Sequence, residues 1–158
     1  MKRKREIPPE YTKPKGKVGE LHPHWRMSFP DDEDETGRGK VEEGLPGYGI
    51  WRRVPGFWLI LASETGAIMT QGATRVRKQT QDKHTYYWKV RCNGRPEQVH
   101  LLVTRAFEGP AQPDHTSADH RGGKELSANE RRSDNRAVNL AWATGSEQNA
   151  NQKKHKPH

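Results

Sequence analysis

At 158 residues the chain has room for one modest domain, or two small ones with tails; with 30% hydrophobic and 30% charged residues and a mean hydropathy of -1.18, part of it is short of apolar groups to pack. A formal net charge of +8 and a pI near 9.7 favour a polyanionic partner, of which nucleic acid is the commonest, and speak to partners rather than to fold. The lone Cys92 excludes an intramolecular disulfide and any multi-cysteine zinc cluster; with no apolar run long enough to span a bilayer and no apolar secretion core at the N-terminus, the expectation is a soluble intracellular protein with no membrane partner.

In chain order, residues 1–44 run from the basic "MKRKRE" through "PPEYTKPKGK" to the acidic "DDEDETGRGKVEE" without a sustained helical or strand period, which predicts a flexible charged arm. "KRKR" suits an import signal or a phosphate-contacting arm, and a solvated terminus is the plainer reading. His22 and His24 flank a proline and supply no third ligand, so no metal site is read there. From Leu45 the texture changes. "GLPGYGIWRRVPGFWLILASETGAIM" sets a Pro-Gly turn on each side of Trp51, an apolar run Phe57 to Ala62 and a Glu-Thr-Gly turn before Ala67, Ile68 and Met69, which predicts a small antiparallel unit.

"TYYWKVRCNGRPEQV" adds an aromatic and β-branched strand, Thr85 to Arg91, closed by an Asn-Gly turn. Between the two lies "TRVRKQTQDKHTYYWKVR", where Arg75, Arg77, Lys78, Lys83 and Lys89 are interleaved with polar and aromatic residues. A solvated loop and a nucleic-acid face have the same composition, and both readings stand at this point. "QVHLLVTRAF" then spaces Val99, Leu102, Val103 and Ala106 as one face of a short amphipathic helix, stopped by "EGPAQP".

The C-terminal part carries the chemistry. "TSADH" and "VNLAWAT" are extended in character, a long polar loop separates them, and "GSEQNANQKK" follows with Ser146 or Thr144 placed to cap a helix. Such a strand, loop, strand, helix unit suits one divalent ion held by an oxygen ligand from each end. Mg²⁺ takes oxygen ligands, keeps several waters and needs one or two protein groups, so Asp119 and one amide oxygen suffice. His120 beside it is a base that works near neutral pH.

These residues resemble the HNH endonucleases, and among them the phage and intron homing type. The resemblance rests on "VHLLVTRAF", a Gly-Pro spacer, Asp119 and His120, "DNR" at Asp134 to Arg136, "NLAWAT" at Asn139 to Thr144 and "SEQN" at Ser146 to Asn149, in that order, and it runs from about Gly44 to Gln152. Upstream, "IWRRVPGFWLILASETGAI" is similar to a module that often precedes the nuclease unit in such proteins. The resemblance implies an α+β chain: a small antiparallel strand-rich module over 45–98, a ββα-metal (HNH) finger over 99–152 and a basic tail over 153–158. It also implies metal-dependent hydrolysis of DNA, with Mg²⁺ or Mn²⁺ held by Asp119, His120 as general base, and Asn135 orienting the finger loop and polarising the base. Asn139 is expected to be a structural hydrogen-bonder, Trp142 a core residue, and His100 a packing residue rather than a chemical one.

Three departures qualify the pattern. The loop from His120 to Asn135 is longer than usual, with "RGGKELSA" as the insertion. The helix ligand falls on Gln148 or on Asn149, which point about 100° apart, and Asn149 is favoured. A second Asp-His pair, Asp114 and His115, precedes the first and is assigned to the loop. Arg121, Arg131, Arg132 and Arg136 are placed to hold flanking phosphates, as Arg75, Arg77, Lys78, Lys83 and Lys89 are on the upstream module. The alternative is a DNA-binding protein on the same scaffold without turnover. A monomer suits nicking, whereas cutting both strands calls for a homodimer or a second binding event.

Overall fold

The computed structural model describes Phe29 and residues 31–112, 114–120 and 134–144. Among the described residues, three antiparallel sheets are arranged around one helix. β1 (Val41–Glu42), β2 (Trp51–Arg53), β3 (Ile60–Ser63) and β4 (Ile68–Thr70) form the first sheet, in sequential order. β5 (Gln79–Gln81), β6 (Trp88–Cys92) and β7 (Arg95–Gln98) form the second. Then come α1 (Val99–Glu108), β8 (His115–His120), a 3-10 turn (Ala137–Asn139) and β9 (Leu140–Thr144), which pairs with β8. The chain is α+β and strand-rich; the helix expected after Thr144 and the 121–133 loop lie outside the described residues.

Local chemistry explains most element bounds. Asn93 and Gly94 both take positive φ, 52° and 81°, which a tight hairpin of the primed type demands between β6 and β7. Strand β3 starts at Ile60 rather than Phe57, because Val54 to Phe57 closes as a turn, with the Phe57 N–H donating to the Val54 carbonyl at 3.1 Å. Strand β6 starts at Trp88 rather than Thr85, because the Asp82 carboxylate accepts the His84 and Thr85 N–H groups at 2.8 and 2.9 Å. That turn competes with the sheet for the same donors. The segment before it contributes β5, so part of the expected loop is a strand.

The apolar face of α1 is the centre of the molecule. Val99, Leu102, Val103 and Ala106 share one buried cluster with Phe57 of the β2–β3 turn, Ile60, Ala62 and Ile68 of the first sheet, Val90 and Cys92 of the second, and Leu140 of β9. The boundary expected at 98/99 therefore separates residues that pack as one core. Leu101, on the other side of the helix, packs with Ala111, Ala118 and Trp142. The Trp142 indole N–H donates to the Gly109 carbonyl at 2.9 Å, joining β9 to the end of the helix.

The expectation of a flexible arm over 1–44 is corrected for its acidic end. Arg105 is 0% exposed although it lies on α1, and a buried guanidinium needs anionic partners. Glu33 pairs with it, Asp32 adds its charge, and the Gly37 carbonyl accepts a further hydrogen bond at 3.2 Å. Burial pulls the guanidinium below its ordinary pKa, and Glu33 and Asp32 oppose that pull. Asp32 also accepts the Gly56 N–H at 3.2 Å, and the Gly39 N–H donates to the Ala106 carbonyl at 2.9 Å. The acidic run is thus a docked part of the fold.

Candidate active site

The β8–β9 hairpin sets Asp119 opposite Ala141 and His120 opposite Leu140, with an irregularity between His115 and Ser117. Asp119 and His120 are both half-buried. As neighbours in a strand their side chains leave on opposite faces unless the strand ends or twists there, and β8 ends at His120. Asn135, 7% exposed, approaches from the far side of the loop: His120 Nε2 lies 2.8 Å from Asn135 Oδ1. An amide oxygen only accepts, so the contact is a hydrogen bond when Nε2 carries the proton, the tautomer whose lone pair sits on Nδ1.

The segment bearing Asn135 is held at several points. Asn139, expected to be structural, donates from Nδ2 to the Asp134 carbonyl at 2.8 Å. Asp134 and Arg136 form a two-point pair at 2.8 and 2.7 Å. The Arg136 side-chain hydrogen bond is the main force lowering the Asp134 pKa, against a smaller upward push from burial, and the Arg136 N–H and the charges of Arg136 and His120 act in the same downward direction. On the other side, the Ala137 N–H donates to the Glu64 carbonyl at 2.9 Å, so the β3–β4 turn touches the same segment.

Two aromatic rings that the sequence reading did not place at the site support His120. Tyr87 stacks on His100 with centroids 4.6 Å apart, and His100 meets His120 at 4.9 Å with a 45° tilt. Tyr87 is 5.9 Å from His120 and nearly parallel to it. His100 is 4% exposed and lies on α1, where packing was expected of it. The only sequence signal for Tyr87 was an aromatic within a strand-like run, and strand alternation does not reveal which sheet-to-hairpin contact that ring makes. Trp142 is buried, as expected of a core residue. Of the second Asp-His pair, Asp114 lies in a turn, while His115 opens β8 and its Nδ1 accepts the Gln112 N–H at 2.9 Å.

The basic candidates divide. Arg75, Lys78 and Lys83 are exposed. Arg77 is spent inside the fold: its guanidinium donates to Thr70 Oγ1 at 3.1 and 2.8 Å and to the Arg91 carbonyl at 2.8 Å. Lys89 is paired with Asp82 at 3.1 Å. Arg136 is exposed while paired with Asp134. Arg121, Arg131, Arg132, Gln148 and Asn149 lie outside the described residues. Among the described residues no group of three or more His, Cys, Asp or Glu converges as a metal site, and no helix is long and apolar enough to cross a membrane.

No family model matches the chain, and no curated protein matches it in sequence. Among solved structures the chain is similar to one described as "DNA binding and cleavage by the HNH homing endonuclease I-HmuI", with a TM-score of 0.52 and 23% identity over 68% of this chain. The match spans 61% of that protein's chain. The likeness is one of fold.

Proposed function

We propose that the protein is a metal-dependent endonuclease of the HNH type that hydrolyses phosphodiester bonds in DNA. The observation that carries this reading is the pair His120 Nε2 and Asn135 Oδ1 at 2.8 Å, at the end of the strand that also bears Asp119. The fold likeness to an HNH homing endonuclease and the net charge of +8 support it. Asp119 fits a hard cation: Mg²⁺ or Mn²⁺ asks for one or two protein oxygens, and a half-buried carboxylate at a strand end supplies one. Asn149, or Gln148, is assigned as the second. When bound, the cation contributes positive charge at the phosphate and at the departing oxygen.

The chain's own groups supply the proton chemistry. His120 Nδ1 takes a proton from water as the water oxygen bonds to phosphorus, and the bond from phosphorus to the 3′ oxygen breaks with its electron pair left on that oxygen, which takes a proton from solvent as His120 returns its own. Asn135 holds the ring with Nδ1 toward the water, and its bond to Nε2–H strengthens as the imidazole becomes positive. A positioned base of this kind is worth about 10²- to 10⁴-fold in rate. Exposed Arg75, Lys78 and Lys83 contact flanking phosphates.

The test is conversion of supercoiled plasmid to nicked or linear forms at low salt. Cleavage in Mg²⁺ or Mn²⁺ that stops in EDTA supports the reading. Binding of DNA without cleavage of any substrate would replace it with that of a binding protein on the same scaffold.

A further inference from the structure

The β3–β4 turn lies outside the hairpin that carries the base, yet it makes two contacts with the segment of Asn135. The Glu64 carbonyl accepts the Ala137 N–H at 2.9 Å. Gly66 packs directly on Asn135: a Cβ at Gly66 would sit 2.9 Å from the Asn135 carbonyl oxygen and 3.1 Å from its carbonyl carbon. Its φ of 93° is a second reason for glycine. Only a residue without a side chain lets the turn come this close.

The turn is itself rigid. The Gly66 N–H donates to the Ser63 carbonyl at 3.0 Å, the Ala67 N–H to Ser63 Oγ at 2.9 Å, and the Glu64 N–H to the Ile50 carbonyl at 2.9 Å. From the other side, Gln79 Nε2 at the start of β5 donates to the Gly66 carbonyl at 2.9 Å. The first two of these bonds close the turn itself, and those with Ile50 and Gln79 tie it to its neighbours. Together they hold a platform against which the carbonyl of Asn135 rests, three bonds from the side-chain amide that meets His120.

Resting on the nuclease reading, we infer that the β3–β4 turn positions the general base: Glu64, through its carbonyl, and Gly66, through its missing side chain, fix the backbone of Asn135 and thereby the orientation and tautomer of His120. They are positioning residues and touch no substrate. The upstream module is then a structural half of the active site as well as a surface for DNA.

The test is Ala137→Pro. It deletes the N–H that reaches Glu64, while the first position of a helical turn accepts proline and the extended Arg136 (φ -66°, ψ 143°) accepts a following proline. Three readouts are taken on the full chain: the imidazole nitrogen signals of His120 by NMR, single-turnover cleavage at saturating DNA, and DNA affinity. The expected result is loss of the pure Nε2–H signature and a rate lower by roughly 10- to 100-fold with affinity unchanged. In an Asn135→Ala background Ala137→Pro should cost nothing more, because the path it acts through is already cut. An unchanged His120 signature, or a full multiplicative loss in the double variant, overturns the inference. If Ala137→Pro does not fold, Gln79→Leu, which removes the brace on the Gly66 carbonyl, carries the same comparison in the same direction. Should the wild-type protein cut no DNA, the NMR signature alone decides the positioning role, and the nuclease reading falls separately.

Discussion

Replacing Asn135 with alanine removes the acceptor of the 2.8 Å bond from His120 and leaves the strand that carries the histidine in place. Without that bond the ring has two flips and two tautomers open to it, so roughly a quarter of the population points the Nδ1 lone pair correctly. A hydrogen bond worth about 1.4 kcal/mol raises that share to about three quarters, a difference of about threefold. As His120 gains its proton the bond becomes charge-assisted and strengthens by about a further 1.4 kcal/mol, which is about tenfold in rate. The product is a fall of about 30-fold in single-turnover cleavage at saturating DNA, with binding in a gel shift unchanged. Asn135→Asp keeps an acceptor and should lose less than Asn135→Ala. Cleavage by Asn135→Ala within about threefold of wild type would refute the polarising role assigned to this contact.

Glu33→Ala should destabilise the fold by about 3 kcal/mol and Arg105→Met by less, because the first leaves a fully buried charge without its main partner and the second leaves a carboxylate that water still reaches; urea unfolding gives the order, and the reverse order contradicts the account. Burial pushes the Cys92 thiol from 9.0 up to about 12. Between those values the unfolded chain releases a proton that the folded chain keeps, so stability falls as pH rises through that window; the slope should shrink in Cys92→Ala, and native protein should react with thiol reagents only on unfolding. Lys78→Ala and Lys83→Ala should each lower DNA affinity and reduce the salt slope by about one, whereas Arg77→Ala should mainly lower stability, because its guanidinium bonds to Thr70 and Arg91. An equal loss of salt slope in all three would put Arg77 on the DNA face.

Helix α1 and the two strands of the hairpin were legible because their signals are local: apolar spacing at Val99, Leu102, Val103 and Ala106 for the helix, and the extended "TSADH" and "VNLAWAT" blocks for the strands, the second of which loses Val138 and Asn139 to a 3-10 turn. The approach of Asn135 to His120 was indicated by resemblance, not by spacing, since 15 residues separate them. What escaped was tertiary. Arg105 follows Leu101 by one turn on a helix whose residues are buried from Val99 to Ala106, and nothing in the sequence says that Glu33 is its partner. Gly66 reads as an ordinary turn glycine until its distance to Asn135 is known. Tyr87 reads as a strand aromatic until its stacking on His100 is seen. In each case the local role was visible and the long-range one was set by packing.

The most direct test of the central claim is metal-dependent cleavage of supercoiled plasmid by His120→Ala beside wild type, with DNA binding measured on both. If His120 is the general base, the variant binds DNA as wild type does and cleaves at least about 100-fold more slowly. Cleavage by His120→Ala at the wild-type rate would contradict that assignment and move the proton acceptor elsewhere.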